Sequence, residues 1–129
     1  MIGGHLPPVE TRGVEVWVAT TPIDMRKSFD SLTEVVRRFL GRDPLSGNLF
    51  VFRNKSGQLL KVLWWDRDGL TIYYRRLERG TFRFPHNGET AVAISREGLL
   101  RLIAGLEVFP PKSSNSTGAP RPESLQQRT

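Results

Sequence analysis

Hydrophobic positions alternate over several short stretches of this chain and change to helical spacing over two others. Alternation from Val14 to Thr20 predicts a strand. Three later stretches rich in β-branched and aromatic residues, separated by turn sequences, predict a three-strand meander. They run from Asn48 to Arg53, from Leu59 to Trp65 and from Leu70 to Leu77. Shorter stretches at Thr81 to Phe84 and Glu89 to Ile94 can extend the sheet.

The first helical pattern follows the first strand. Thr21, Pro22 and Asp24 match the N-cap, first and third positions of a helix, which predicts that a helix begins at once. Apolar residues then recur at steps of three and four, which places them on one face. This face holds Met25, Phe29, Leu32, Val36 and Phe39. Gly41 and Pro44 end the helix.

The second helical pattern runs from Arg96 to Leu106, with Ser95 as its predicted N-cap and a leucine-rich face that can cover the sheet. Residues 1–13 are rich in Gly and Pro and predict a flexible lead. Residues 110–129 have hardly any apolar side chain, which predicts a disordered tail. We therefore predict one α+β domain over residues 14–109, with an antiparallel sheet of five or six strands and two flanking helices.

Composition excludes several classes of protein. A chain of 129 residues suits one domain, and the lack of cysteine excludes disulfides, cysteine-based zinc sites and thiol catalysis. No apolar stretch approaches the roughly 20 residues that span a bilayer, and the N-terminus lacks a signal-peptide pattern. The sequence therefore predicts a cytoplasmic protein with no membrane partner, no metal and no cofactor.

The excess positive charge is concentrated in one region. Residues 53–83 carry eight basic and three acidic side chains, a net charge of +5 out of +6 for the whole chain. Strands that combine cations with Trp and Tyr can neutralise phosphates and stack on bases, which makes DNA the first predicted partner. An arginine-rich composition can also come from a GC-rich genome, so charge alone leaves both explanations open.

The register of the last hairpin decides which aromatic side chains face outward. A four-residue loop after Trp65 places Leu63 opposite Ile72 on the predicted core face. Trp64 and Tyr73 then lie beside cations on the other face, which is the predicted contact surface. A bulge of one residue would exchange the two faces. Burial is the competing explanation for either tryptophan, because large aromatic residues in strands usually belong to a core.

The candidate contact residues are basic or aromatic side chains on the first helix and the meander. They are Arg26, Lys27, Arg53, Lys61, Trp64, Tyr73, Arg75, Arg76 and Arg79. The three arginines between positions 75 and 79 stand out, because so dense a cluster needs a reason beyond solubility. Arg26 and Lys27 have an alternative explanation as solvated partners of Asp30 on a helix surface.

Four sequence blocks carry a family resemblance. They run from Thr21 to Leu32, from Asp43 to Arg53, from Lys61 to Asp66 and from Arg76 to Gly80. In order and spacing they resemble the small accessory protein of insertion-sequence 66 elements, usually called TnpB or Orf2-like. The resemblance covers residues 14–106, and it implies a protein that is encoded beside a larger transposase and assists transposition.

Two departures from the family pattern stand out. Ser28 and Ser31 replace residues that are usually glycine in relatives, and serine is compatible with a helix. Arg67 lies in a turn where relatives usually have glycine, and an arginine would be strained there if the turn needs a positive φ.

An enzymatic role is the competing prediction. The acids available for a metal site in phosphoryl transfer are Asp24, Asp66, Asp68 and Glu78. Most of them have a structural explanation, since one suits a helix N-terminus and two suit a turn. No Ser-His-Asp order, Gly-rich phosphate loop or metal-ligand spacing appears. We therefore predict a non-catalytic accessory factor that contacts DNA, the transposase or both. The alternative is a protein-interaction module that docks on the transposase without nucleic-acid contact.

Overall fold

The computed structural model describes Pro7, residues 13–106 and Val108. The tail predicted at residues 110–129 and most of the predicted lead lie outside the described residues. The strands are β1 (Val16–Ala19), β2 (Leu49–Arg53), β3 (Leu59–Asp66), β4 (Gly69–Arg76) and β5 (Ala91–Ile94). The helices are α1 (Phe29–Arg38) and α2 (Arg96–Ile103).

The strands form one five-stranded sheet in the order β4-β3-β2-β1-β5, which confirms the α+β class with two helices. The predicted meander is present, because β2, β3 and β4 pair antiparallel. The sheet is mixed rather than wholly antiparallel, since β1 and β2 pair parallel. The connection between them contains α1 and carries the chain back to the end of the sheet where β1 begins, so that β2 can run parallel to β1. Residues 81–84 are not a sixth strand, but irregular backbone that buries Phe82 and Phe84.

Helix α1 begins later than the sequence predicted. It starts at Phe29, with Ser28 as its N-cap, rather than directly after β1. The carboxylate of Asp24 accepts hydrogen bonds from the backbone N–H and the guanidinium of Arg26, so it closes a turn ahead of the helix. A short acidic side chain can accept hydrogen bonds from backbone N–H groups in a turn as well as at a helix start. In this protein Asp24 forms the turn, and the helix begins five residues later. Arg26 and Lys27 therefore lie in a loop and not on a helix face.

Helix α2 begins where the sequence predicted. The Ser95 hydroxyl accepts a hydrogen bond from the Gly98 N–H over 2.9 Å, which confirms the predicted N-cap. The helix ends at Ile103 rather than at Leu106. No helix in the described part of the chain is long and apolar enough to cross a membrane.

Both faces of the sheet are buried, each beneath one helix. The predicted register of the last hairpin is correct, because Leu63 pairs with Ile72 and Trp64 with Thr71. The face of Leu63 packs against α1, as predicted for the core. The face of Trp64 is also core, since it packs against the leucines of α2 together with Phe82 and other apolar residues. Trp64 and Tyr73 on this second face are therefore buried, and not exposed to a partner as the sequence predicted.

Candidate functional site

The topology brings three basic segments to one end of the sheet. Strands β1, β2 and β4 finish at this end, and β3 and β5 start there. The loop after β1, the turn between β2 and β3, and the chain after β4 are therefore neighbours. We call their cationic residues the basic end: Arg26, Lys27, Lys55, Arg75, Arg76, Arg79 and Arg83.

Backbone hydrogen bonds hold these segments together. The Ile23 N–H donates to the Arg53 carbonyl over 2.9 Å, which joins the loop after β1 to the end of β2. The Phe82 N–H donates to the Gly57 carbonyl over 2.7 Å, which joins the chain after β4 to the β2–β3 turn. Gly57 has a φ of 80°, and a Cβ there would lie 3.1 Å from the Thr81 Cβ, so this junction favours glycine.

Besides the half-buried Lys27, four cations of the basic end have no acidic partner among the described residues. They are the exposed side chains of Lys55, Arg75, Arg79 and Arg83. Two other arginines of this end are paired. Arg76 Nε lies 3.1 Å from Glu78 Oε2, and Arg26 Nη2 lies 2.7 Å from Asp24 Oδ2. The structure thus gathers two predicted contact residues, Arg75 and Arg79, with two cations that the sequence analysis did not select.

The pair of Asp24 and Arg26 is electrostatically tight although it is exposed. Hydrogen bonds from the Arg26 side chain and backbone lower the pKa of Asp24 to about 2. The same carboxylate raises the pKa of Arg26. Both groups are therefore charged at neutral pH, and each offsets the charge of the other. Arg26 pairs with Asp24 and not with Asp30, the partner considered from the sequence.

Lys61 is a buried structural cation rather than a contact residue. Its side chain is only 4% exposed on the sheet face beneath α1. The ammonium group donates to the carbonyl oxygens of Met25, over 2.8 Å, and Lys27, over 2.7 Å. It also lies 5.2 Å from the centre of the Tyr74 ring. Burial lowers the pKa of Lys61, and the two carbonyls replace the water that an exposed ammonium would have.

Three further predicted contact residues belong to the interior. Trp64 is 1% exposed and Tyr73 is 5% exposed, so neither ring can stack on a base. Both lie beneath α2 because they occupy the face that the sequence analysis took to be open. Arg53 is half-buried, donates to the carbonyl of Thr20 over 3.2 Å and lies 5.5 Å from the Phe84 ring. The exposed aromatic residue of β4 is Tyr74, which lies on the opposite face of the sheet from Tyr73 and Arg75.

The acids considered as metal ligands do not come together. Glu78 follows β4 at the basic end, whereas Asp66 and Asp68 lie at the β3–β4 turn. The length of β3 separates these sites by roughly 23 Å, at about 3.3 Å per residue. Among the described residues there is no group of three or more His, Cys, Asp or Glu side chains that could hold a metal ion.

An apolar groove lies beside the basic end, and the sequence analysis did not foresee it. Its volume is about 490 Å³, and its lining includes Ala19, Pro22, Ile23, Val35 and Phe39. Phe39 is 71% exposed, the largest exposed fraction among the large apolar side chains described. The groove arises because the segment before α1 is a loop, so the loop and the helix form two walls.

Comparisons with known proteins identify the family. The family model described as IS66 Orf2 like protein matches residues 14–113. Two relatives come from Sinorhizobium fredii (strain NBRC 101917 / NGR234). Uncharacterized protein y4hO is 46% identical over 96 residues, covering 74% of this chain and 84% of the relative. Uncharacterized protein y4jC is 37% identical over 97 residues, covering 75% and 83%. No solved structure gives a significant match.

The matched region contains both helices, all five strands and every residue of the basic end. It also contains the loop and the helix that form the groove. The chain therefore belongs to the IS66 Orf2-like family, whose role is accessory to transposition.

Proposed function

We propose that this protein is a non-catalytic accessory factor for transposition that contacts DNA through its basic end. The observation that carries the proposal is the convergence of four exposed cations from separate segments of the chain, none with an acidic partner in the part of the chain that the structure describes. Unpaired cations gain most from phosphate, because each contact releases condensed counterions and breaks no existing ion pair. The protein also belongs to a family with an accessory role in transposition. Transposition moves a segment of DNA, so DNA is present where the protein acts.

The chemistry of the cations suits a phosphate backbone. Arginine presents a planar fork of donors that matches two oxygens of one phosphate. Arg75 and Arg79 are free to do so, whereas Arg76 must first leave Glu78. Arg75 should therefore contribute more to affinity than Arg76.

The alternative is that the same cations bind an acidic surface of the transposase. This second function uses the same residues, so it must be separated from the first by experiment. The double variant Arg75→Ala/Arg79→Ala removes two unpaired cations of the basic end. The control Arg37→Ala/Arg67→Ala removes the same charge from exposed arginines outside the basic end. Affinity for random-sequence duplex and single-stranded DNA is measured over a range of salt concentrations.

We expect the basic-end variant to bind DNA more weakly than the control. The slope of log affinity against log salt should fall by roughly 0.7 to 0.9 for each lost contact. Equal affinities and slopes for the two folded variants would contradict DNA contact at this site. If the basic-end variant alone then loses association with the transposase, the docking function replaces the DNA-binding function.

The non-catalytic part of the proposal rests on the separation of the acids described above. Purified protein should not cleave DNA or RNA in the presence of magnesium or manganese. Metal-dependent cleavage that Asp66→Ala abolishes, with the fold intact by circular dichroism, would contradict it.

A further inference from the structure

We propose that the apolar groove binds a short segment of another protein, apolar along its length and acidic at one end. This site lies beside the DNA contact and shares Lys27 and Lys55 with it, but most of its lining is apolar and cannot bind phosphate. A segment bound there would make the protein an adaptor, which holds DNA at the basic end and a protein partner beside it.

The groove has the shape and chemistry of a peptide site. Ala19 and Val35 are buried and contribute to its lining, while Pro22 and Ile23 come from the loop. Phe39 follows directly after α1, and its ring is exposed to water. A bound apolar side chain would remove this apolar surface from water, which is favourable. A volume of about 490 Å³ lies within the range of ordinary ligand sites. Aromatic residues of this kind are typical binding hot spots.

Charge at one end of the groove favours an acidic segment. Lys27 lines the groove and forms no ion pair with any residue that the structure describes. A neighbouring hollow of about 410 Å³ shares three lining residues with the groove and adds Lys55, which also has no acidic partner within the described ranges. Asp24 lines both, but Arg26 already offsets its charge. The net potential at this end is therefore positive, and a carboxylate is the complementary group.

The groove is formed before any partner binds. Lys61 anchors the loop through the carbonyls of Met25 and Lys27, and Ile23 joins it to β2. Because the loop is already ordered, binding does not lose the conformational entropy of a flexible loop, and the affinity is higher for the same contacts. A short segment can therefore bind without the large contact area that a flexible loop would require.

A random peptide library displayed on phage tests the proposal. Peptides are selected on the whole folded chain and then compared for binding to three variants. Phe39→Ala removes the exposed wall, and Lys27→Glu reverses the charge. Leu100→Ala is the matched control, because this leucine is 52% exposed on α2, away from the groove. Thermal melting confirms that each variant is folded, which is expected because none of the three side chains is buried.

We expect the selected peptides to combine apolar residues with Asp or Glu at one end. Phe39→Ala should weaken them about tenfold, Lys27→Glu should weaken them by repelling their acidic end, and Leu100→Ala should change nothing. Failure to select any peptide, or selection of peptides that bind Phe39→Ala as well as the original chain, would overturn the proposal. DNA affinity of Phe39→Ala should equal that of the original chain, so a failure of this site is distinguishable from a failure of the DNA contact.

Discussion

The ammonium group of Lys61 lies 2.7 Å from the carbonyl oxygen of Lys27, so a buried cation of the central sheet holds the loop that carries a half-buried one. The loop forms one wall of the groove and part of the basic end. The two candidate sites therefore depend on the same anchor. A change at this anchor should affect both sites, although Lys61 contacts neither partner.

Replacement of Lys61 by methionine tests this anchor. The apolar stem is kept, but the carbonyls of Met25 and Lys27 lose their donor, which should destabilise the fold by about 1–3 kcal/mol. Amide hydrogen exchange in residues 23–28 should accelerate, because the loop is no longer fixed. The exposed Lys55→Met variant should show neither effect in urea unfolding or exchange. Unchanged exchange in the loop would show that its own turns suffice to hold it.

The pair of Asp24 and Arg26 predicts an acid-dependent contribution to stability. The folded-state pKa, about 2, is below the ordinary value of 3.8, so the contribution is fully present above pH 3.8. It should be lost as the pH falls through about 2, when the folded carboxylate takes up its proton. Arg26→Gln should move the pKa of Asp24 back toward 3.8, measured by NMR titration of the carboxyl carbon. A pKa that stays near 2 in this variant would assign the shift to the backbone donor alone.

The two adjacent tryptophans should respond differently to truncation. Trp64→Ala empties a fully buried site and should cost about 3–5 kcal/mol in urea unfolding. Trp65→Ala should cost less than half as much, because its side chain is only half-buried. The milder variant Trp64→Phe keeps the protein folded for DNA measurements, and its affinity should be unchanged. Reduced DNA affinity in folded Trp64→Phe would contradict the prediction and show that the Trp64 ring contributes to DNA binding.

The turn between β3 and β4 should become more stable with glycine at position 67. Arg67 has a φ of 56°, and it is the only residue other than glycine with a positive φ in the described ranges. Arg67→Gly should stabilise the fold by about 0.5–1 kcal/mol, because glycine adopts this conformation without strain. Asp68→Gly is the control and should destabilise, since Asp68 has no positive φ to relieve. Lower stability for Arg67→Gly would show that the arginine side chain makes a compensating contact.

Local sequence patterns determined most of the secondary structure. Alternating and turn-bounded stretches gave β2, β3 and β4 to within about one residue, because side-chain period and turn chemistry are local properties. The N-cap at Ser95 was also predictable, since one hydroxyl satisfies one nearby N–H. The start of α1 was not, because Asp24 can close a turn or a helix start with the same hydrogen bonds. The family membership followed from the order of the motifs themselves.

Only the tertiary structure decided which side chains are available to a partner. The sequence predicted the pairing of Trp64 with Thr71, but not that α2 covers that face, because covering depends on where distant segments pack. Burial then turned Lys61, Trp64 and Tyr73 from candidate contacts into structural residues. Conversely, the parallel β1–β2 pair brought the cations of three segments to one end and left a groove beside them. The sequence determines the charge and the hydrophobic periodicity of each segment. The solvent exposure of a side chain depends instead on contacts between residues that are far apart in the sequence.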